Sequence, residues 1–171
     1  EKKLIFEDTR KFGRIYLYKN IDIINQRLGP EPLGKKFTPN WLISNIKKKK
    51  RMIKALLLDQ SFLAGLGNIY VDESLWTSGI HPKSISNVIP ISKGAKLHHA
   101  ILKTLKDAIS FKGTTIISFS YLKGERGNYA TQLKVFGQNG KSCQKCGDEI
   151  EKIRVAGRGT YICKQCQRIY I

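Results

Sequence analysis

Four cysteines carry the clearest chemical spacing in the sequence. Cys143 and Cys146 stand two residues apart, as do Cys163 and Cys166, and 16 residues separate the pairs. Two close thiolate pairs joined by a segment long enough to fold back as a hairpin suit one tetrahedral zinc ion, with Zn–S distances of about 2.3 Å. The alternative is a pair of disulfides, whose connectivity spacing alone does not fix. Zinc is the expectation, because every cysteine is used and no secretory signal is visible. Four thiolates leave no open coordination position, so one structural Zn ion without a catalytic role is expected. His81, beside Pro82, is expected in a loop, and His98 and His99 on a helix; none is expected to ligate metal.

Two further patterns seek phosphate. Arg158 lies between Gly157 and Gly159, which predicts an exposed hairpin-tip arginine able to reach a groove or hold a phosphate with its planar fork. Upstream, residues 60–76 read as helix, glycine turn and helix, with Gly65 and Gly67 in the turn and Gly79 ending the second helix. Glycines let backbone approach a phosphate, and the N–H groups opening the second helix bind it through the local dipole. They serve tight helix packing equally well. A basic run at residues 47–51 precedes this segment; such runs are commonly solvated faces, but this one adjoins the other two signals.

The elements that position these groups fall into three stretches. Residues 4–6 and 13–18 are β-branched and aromatic runs parted by a polar turn, read as two strands. Two strands alone are marginal, so they are expected to belong to a larger sheet. The chain opens Glu1-Lys2-Lys3-Leu4, without an initiator Met, and is read as cut from something longer. Residues 29–34 hold two prolines and two glycines and mark a linker, after which Thr38 and Pro39 predict a helix through about Ile46. Residues 92–111 predict the longest helix, with Leu97, Ile101, Leu105 and Ala108 on its core stripe and Lys93, Lys96, Lys103 and Lys106 largely off it. Residues 114–119 are β-rich, and residues 123–128 read as a mobile tip.

Composition points the same way. The chain of 171 residues carries 31 Lys+Arg against 13 Asp+Glu, a net charge of +18, which repels itself unless something anionic neutralises it. Nucleic acid is the expected partner. A membrane is not: no apolar run is long enough to span a bilayer, and no amphipathic aromatic face accompanies the basic run.

Together, residues 60–73, the hairpin Ala156-Gly157-Arg158-Gly159-Thr160 and the terminal Cys163-Lys164-Gln165-Cys166-Gln167 make the chain resemble the formamidopyrimidine-DNA glycosylases. These are bacterial base-excision enzymes that remove 8-oxoguanine and ring-opened purines, and the resemblance covers essentially the whole chain. It implies an α+β fold: the end of an N-terminal β-sandwich (residues 1–28), a mainly α helix-two-turns-helix DNA-binding domain with a lesion loop (29–136), and a four-Cys β-hairpin zinc finger (137–171). The implied partner is double-stranded DNA with an oxidised base or abasic site, bound by a monomer in the bacterial cytoplasm at the nucleoid.

Residue by residue, the resemblance places Arg10 in the hole left by an extruded base and Phe12 as a wedge between neighbouring bases, since a flipped nucleotide leaves a void that a guanidinium and a flat ring can fill. Lys50, Lys54 and Asn68 would hold phosphates, with Gly67 and Tyr70 contacting DNA from the same turn and helix. Arg158 would hold a phosphate and, by the family's assignment, donate the proton in δ-elimination. Residues 114–128, with Thr114, Ser118 and Tyr121, would be the loop closing over the lesion. Ile117 stands where the family commonly has a basic residue, which leaves the preferred base open. The family's nucleophile, an N-terminal proline amine attacking C1′, and its adjacent glutamate are not matched; Glu1 is not that glutamate. The implied parent chemistry is Schiff-base formation, base release and β,δ-elimination, and the chain alone is expected to bind DNA without catalysis. Two other readings are an endonuclease VIII-type enzyme for oxidised pyrimidines and a non-catalytic zinc-ribbon nucleic-acid module.

Overall fold

Thr38 accepts a hydrogen bond from the Trp41 N–H at 3.1 Å, capping a helix whose first residue, Pro39, has no N–H to leave unsatisfied. That helix opens the ordered helical unit in the computed structural model, which describes residues 3–6, 8, 11–114 and 127–171. In chain order the helices are α1 (Asp22–Asn25), α2 (Pro39–Lys47), α3 (Ile53–Leu57), α4 (Asn68–Ser78) and α5 (Ile91–Ser110), followed by the hairpin strands β1 (Ile150–Val155) and β2 (Arg158–Cys163).

The core follows from helical periodicity. Leu42 and Ile46 of α2, Leu56 and Leu57 of α3, Val71 and Leu75 of α4, and Leu97 and Ile101 of α5 close on one another as a single buried cluster, with Leu105 half-buried at its margin. The expected stripe of α5 is therefore its inward face. Lys96, Lys103 and Lys106 are exposed, while Lys93 reaches back to the Ser78 carbonyl at 3.2 Å. Gly79 ends α4 in the left-handed conformation at φ 71°, which a side chain would strain.

The N-terminal segment departs from expectation. Residues 4–6 and 13–18 form no strand; Leu4 is 89% and Leu17 99% exposed. β-propensity is expressed against neighbouring strands, and these runs have no sheet to join among the described residues.

Strands β1 and β2 pair antiparallel from Ile150↔Cys163 to Val155↔Arg158, so the tip is Ala156-Gly157. Both have positive φ, 50° and 74°, the two-residue turn whose twist matches that of the strands. Arg158 is thus the first residue of β2, opposite Val155, rather than the tip itself. Beyond the hairpin the C-terminus returns to the helical unit. Arg168 donates its N–H to the Gly79 carbonyl at 3.1 Å, Ile85 donates to Tyr170 at 2.7 Å, and Gln167 reaches the Ile80 carbonyl at 3.0 Å.

Candidate zinc centre and nucleic-acid interface

Each cysteine pair sits on a tight turn. The Cys143 carbonyl accepts from the Gly147 N–H at 2.8 Å, and the Cys163 carbonyl from the Gln167 N–H at 3.1 Å, while the Gln167 side chain accepts from the Cys163 N–H at 2.9 Å. The four sulfurs lie within 4.8 Å of one another, at 3.8 Å for Cys143 to Cys166 and 3.4 Å for Cys146 to both Cys163 and Cys166. A tetrahedral Zn–S₄ centre separates its sulfurs by about 3.8 Å, so the donor set fits one ion rather than two disulfides. Burial opposes the Cys143 thiolate, but N–H donors from Lys145, the Trp76 indole and Cys146 prevail and hold its thiol below the usual range, while burial pushes the Cys163 and Cys166 thiols up.

The helical unit supplies part of this centre. Trp76, on α4, donates its indole N–H to Cys143 Sγ at 3.4 Å. Lys145, between the first two cysteines, lies 3.9 Å over the Trp76 ring and donates to the Trp76 and Thr77 carbonyls at 2.9 and 3.1 Å. A cation on the last carbonyls of α4 satisfies them and complements the helix dipole. Neither residue was singled out by spacing.

The three histidines are engaged elsewhere. His81 Nδ1 accepts from the Lys83 N–H, His98 is buried with Nε2 3.0 Å from the Phe37 carbonyl, and His99 Nδ1 lies 2.8 Å from the Ala95 carbonyl.

Lys54 requires a correction. It was expected to hold a phosphate, but its side chain is wholly buried, and its ammonium lies 2.6 Å from Asp72 Oδ1 and 2.7 Å from Thr160 Oγ1. The other Asp72 oxygen accepts from the Tyr161 N–H at 3.1 Å. Burial pulls the Lys54 ammonium below its usual range against the attraction of Asp72, and burial pushes the Asp72 carboxyl up to about 6 despite Lys54 and the Tyr161 N–H. What Lys54 does in this structure is fasten α3 and α4 to β2.

Asn68, the first residue of α4, donates its side-chain N–H to the Gly159 carbonyl at 3.0 Å, while its Oδ1 is buried without a partner among the described residues. Gly67, in extended conformation, is the N-cap and offers no side-chain cap. The open N-terminal turn of α4 and the strand that starts with Arg158 therefore meet. Arg158 and Lys50 are exposed. Tyr70 lies deeper, its hydroxyl 3.3 Å from Thr114 Oγ1. Phe12 is 80% exposed. Arg10, Ser118, Tyr121 and Ile117 lie outside the described residues.

Glu73 was also missed. It is buried, and its carboxylate accepts from the backbone N–H groups of Lys134, Val135 and Phe136 at 2.9 to 3.1 Å. Burial raises its pKa against those three donors. The available signal was an acidic pair, Asp72-Glu73, between the apolar residues Ile69 to Val71 and Leu75-Trp76 of one helical run.

Comparison with known proteins gives this geometry its context. Residues 28–120 match the H2TH domain of formamidopyrimidine-DNA glycosylase, and residues 140–169 a zinc finger found in FPG and IleRS. The Lactobacillus acidophilus formamidopyrimidine-DNA glycosylase is 48% identical over 98% of this chain and 62% of its own length. The Bacillus licheniformis protein of the same name is 41% identical over 97% of this chain and 62% of its own. The chain thus spans about three fifths of the curated relatives it matches. Among solved structures, the MutM (Fpg) protein of Thermus thermophilus superposes with a TM-score of 0.86 at 36% identity, covering 94% of this chain and 62% of that one. The Lactococcus lactis Fpg in complex with DNA containing an abasic site gives 0.79 at 41%, covering 86% and 54%. With the finger match, the four clustered cysteines are the site of one structural zinc ion.

Proposed function

Because the chain belongs to the formamidopyrimidine-DNA glycosylase family, we propose that it is the DNA-gripping portion of a bifunctional glycosylase and AP lyase that excises oxidised purines by base flipping and cleaves the abasic site by β,δ-elimination. The observation that carries this reading is the contact between Asn68 and Gly159, which sets the open N-terminus of α4 against the strand that starts with Arg158. The backbone N–H groups at that helix start and the guanidinium of the exposed Arg158 both favour phosphate. Lys50, exposed in the basic run of residues 47–51, is a further phosphate contact in this reading, and Gly67 and Tyr70 belong to the turn and helix beside Asn68. The helical unit of residues 29–136 and the finger of residues 137–171 act as one grip, because α4 is fastened to both the hairpin and the zinc site.

In this reading Arg10 fills the space left by the flipped nucleotide and Phe12 wedges between neighbouring bases, and Thr114, Ser118 and Tyr121 belong to the loop over the lesion. The substrate is double-stranded DNA bound by a monomer in the bacterial cytoplasm. Arg158 can also serve as the proton donor in δ-elimination. For the 171 residues taken alone, this reading gives binding without a covalent step, because the roles it assigns to them are DNA contacts and proton donation and none is that of the attacking amine. No helix is long and apolar enough to cross a membrane.

The test is affinity at fixed salt for a duplex with an abasic-site analogue opposite cytosine, against the same duplex undamaged, with and without a strong zinc chelator. The expected result is preference for the damaged duplex, lost on chelation, with no borohydride-trapped adduct. Equal binding insensitive to chelator would mean that the net charge alone drives association, and would overturn the reading.

A further inference from the structure

We infer that Asp72 is a positioning residue for Arg158, acting through Lys54 and Thr160 on the backbone from which Arg158 presents its guanidinium. The inference rests on the reading of Arg158 as a phosphate contact.

The connections run without a gap. Asp72 Oδ1 accepts from Lys54 at 2.6 Å, Lys54 donates to Thr160 Oγ1 at 2.7 Å, and the Thr160 hydroxyl donates to the Arg158 carbonyl at 3.0 Å. In parallel, Asp72 Oδ2 takes the Tyr161 N–H, and the Gly159 carbonyl lies 3.4 Å from the same ammonium. Residues 158 to 161 are therefore held by one carboxylate and its partner. Lys54, Asp72 and Thr160 are all buried, so water does not compete for these bonds.

Zinc cannot replace this support. Cys163 ends β2 and Arg158 begins it, and five strand steps separate them by about 16 Å. An isolated two-stranded ribbon is marginal in water, so metal at one end leaves the other end to fray unless something else holds it. Charge matters too: Lys54 and Arg158 are close enough to repel, and Asp72 neutralises Lys54 beside the arginine. Asp72 does not touch nucleic acid in this scheme.

The experiment is a double-mutant cycle on the zinc-loaded 171-residue chain, read as affinity for the abasic-analogue duplex at fixed salt. Arg158→Ala is expected to weaken binding about tenfold, the loss of a charge-assisted contact. Asp72→Asn is expected to weaken it severalfold with zinc content unchanged and hydrogen exchange at residues 158–161 accelerated. The double variant is expected to match Arg158→Ala alone. Multiplied effects in the double variant, or normal exchange at residues 158–161 in Asp72→Asn, would overturn the inference. Should Asp72→Asn lose its helical signal, the pair Lys54→Met with Asp72→Leu removes both charges at similar bulk, and the same two readouts decide. If the unaltered chain fails to bind DNA, the functional reading falls, and with it the role of Arg158 in this inference. If the unaltered chain binds and only Arg158→Ala weakens it, the functional reading stands and the inference alone fails.

Discussion

The indole N–H of Trp76 lies 3.4 Å from the sulfur of Cys143, so the last turn of α4 is built into the zinc site. The core beside the zinc site is small: Cys143, Ile150 and Cys163 of the finger pack with Val135 and Trp76, which the helical unit supplies. So few apolar side chains do not hold a segment of this size, and metal ligation takes over that task. The helical unit has its own larger core.

Zinc removal should therefore unfold one part and spare the other. In a Trp41→Phe background, so that Trp76 alone reports, a strong chelator is expected to shift the emission to the red and abolish amide protection in β1 and β2. The far-UV helical signal of α2, α4 and α5 should persist. Unchanged emission on complete zinc loss would contradict the arrangement of Trp76 and Cys143.

How far the sequence revealed this depends on what each feature needs. The cysteines were legible because tetrahedral sulfur ligation imposes a spacing along the chain, and α5 because its stripe repeats at the helical period. The exposed position of Arg158 followed from its flanking glycines, although the turn is one step earlier at Ala156-Gly157. Lys54 was misread because its partner is 18 residues away and its hairpin contact 106, distances that only tertiary structure closes. Its position beside Ile53 and before Leu56 and Leu57, all buried, was a usable sign. Residues 4–6 and 13–18 carry strand propensity without forming strands here, because that propensity describes a fit to neighbouring strands.

The Asp72 carboxyl gives a pH dependence of definite sign. Its value in the fold, about 6, lies above the ordinary 3.8, so the native state holds an extra proton between these values. The contribution of this group to stability is therefore largest below 3.8 and is lost as the pH rises through about 6. Urea unfolding at about pH 4.5 and about pH 7 should show a larger relative gain on the acid side for the unaltered chain than for Asp72→Asn. Equal differences in the two proteins would show that Asp72 does not titrate in this window.

Glu73 is expected to be costly to alter because of the backbone it holds. Its oxygens collect N–H groups from three consecutive residues, 134 to 136, which turn the chain from the helical unit toward the finger. Glu73→Gln keeps the shape but sets an amide donor against donors, and should cost about 1.5–3 kcal/mol by denaturant titration. A cost near zero would mean that these N–H groups find other acceptors.

The hairpin turn separates backbone strain from packing. Gly157 has φ 74°, and a Cβ placed there would meet nothing within 4 Å, so any cost of Gly157→Ala is conformational. That cost should be about 1–2 kcal/mol. Ala156 already sits at φ 50°, where asparagine is better tolerated, so Ala156→Asn should recover part of that amount. Because the turn sets the register that places Arg158 opposite Val155, the hairpin stability lost in Gly157→Ala should take DNA affinity with it, while Ala156→Asn should leave the contact in place. Thermal unfolding and duplex titration of both variants check this: a lower midpoint and weaker binding for Gly157→Ala, a higher midpoint with binding retained for Ala156→Asn. A loss of stability in Gly157→Ala with affinity untouched would show that the DNA contact does not depend on the register of this strand pair.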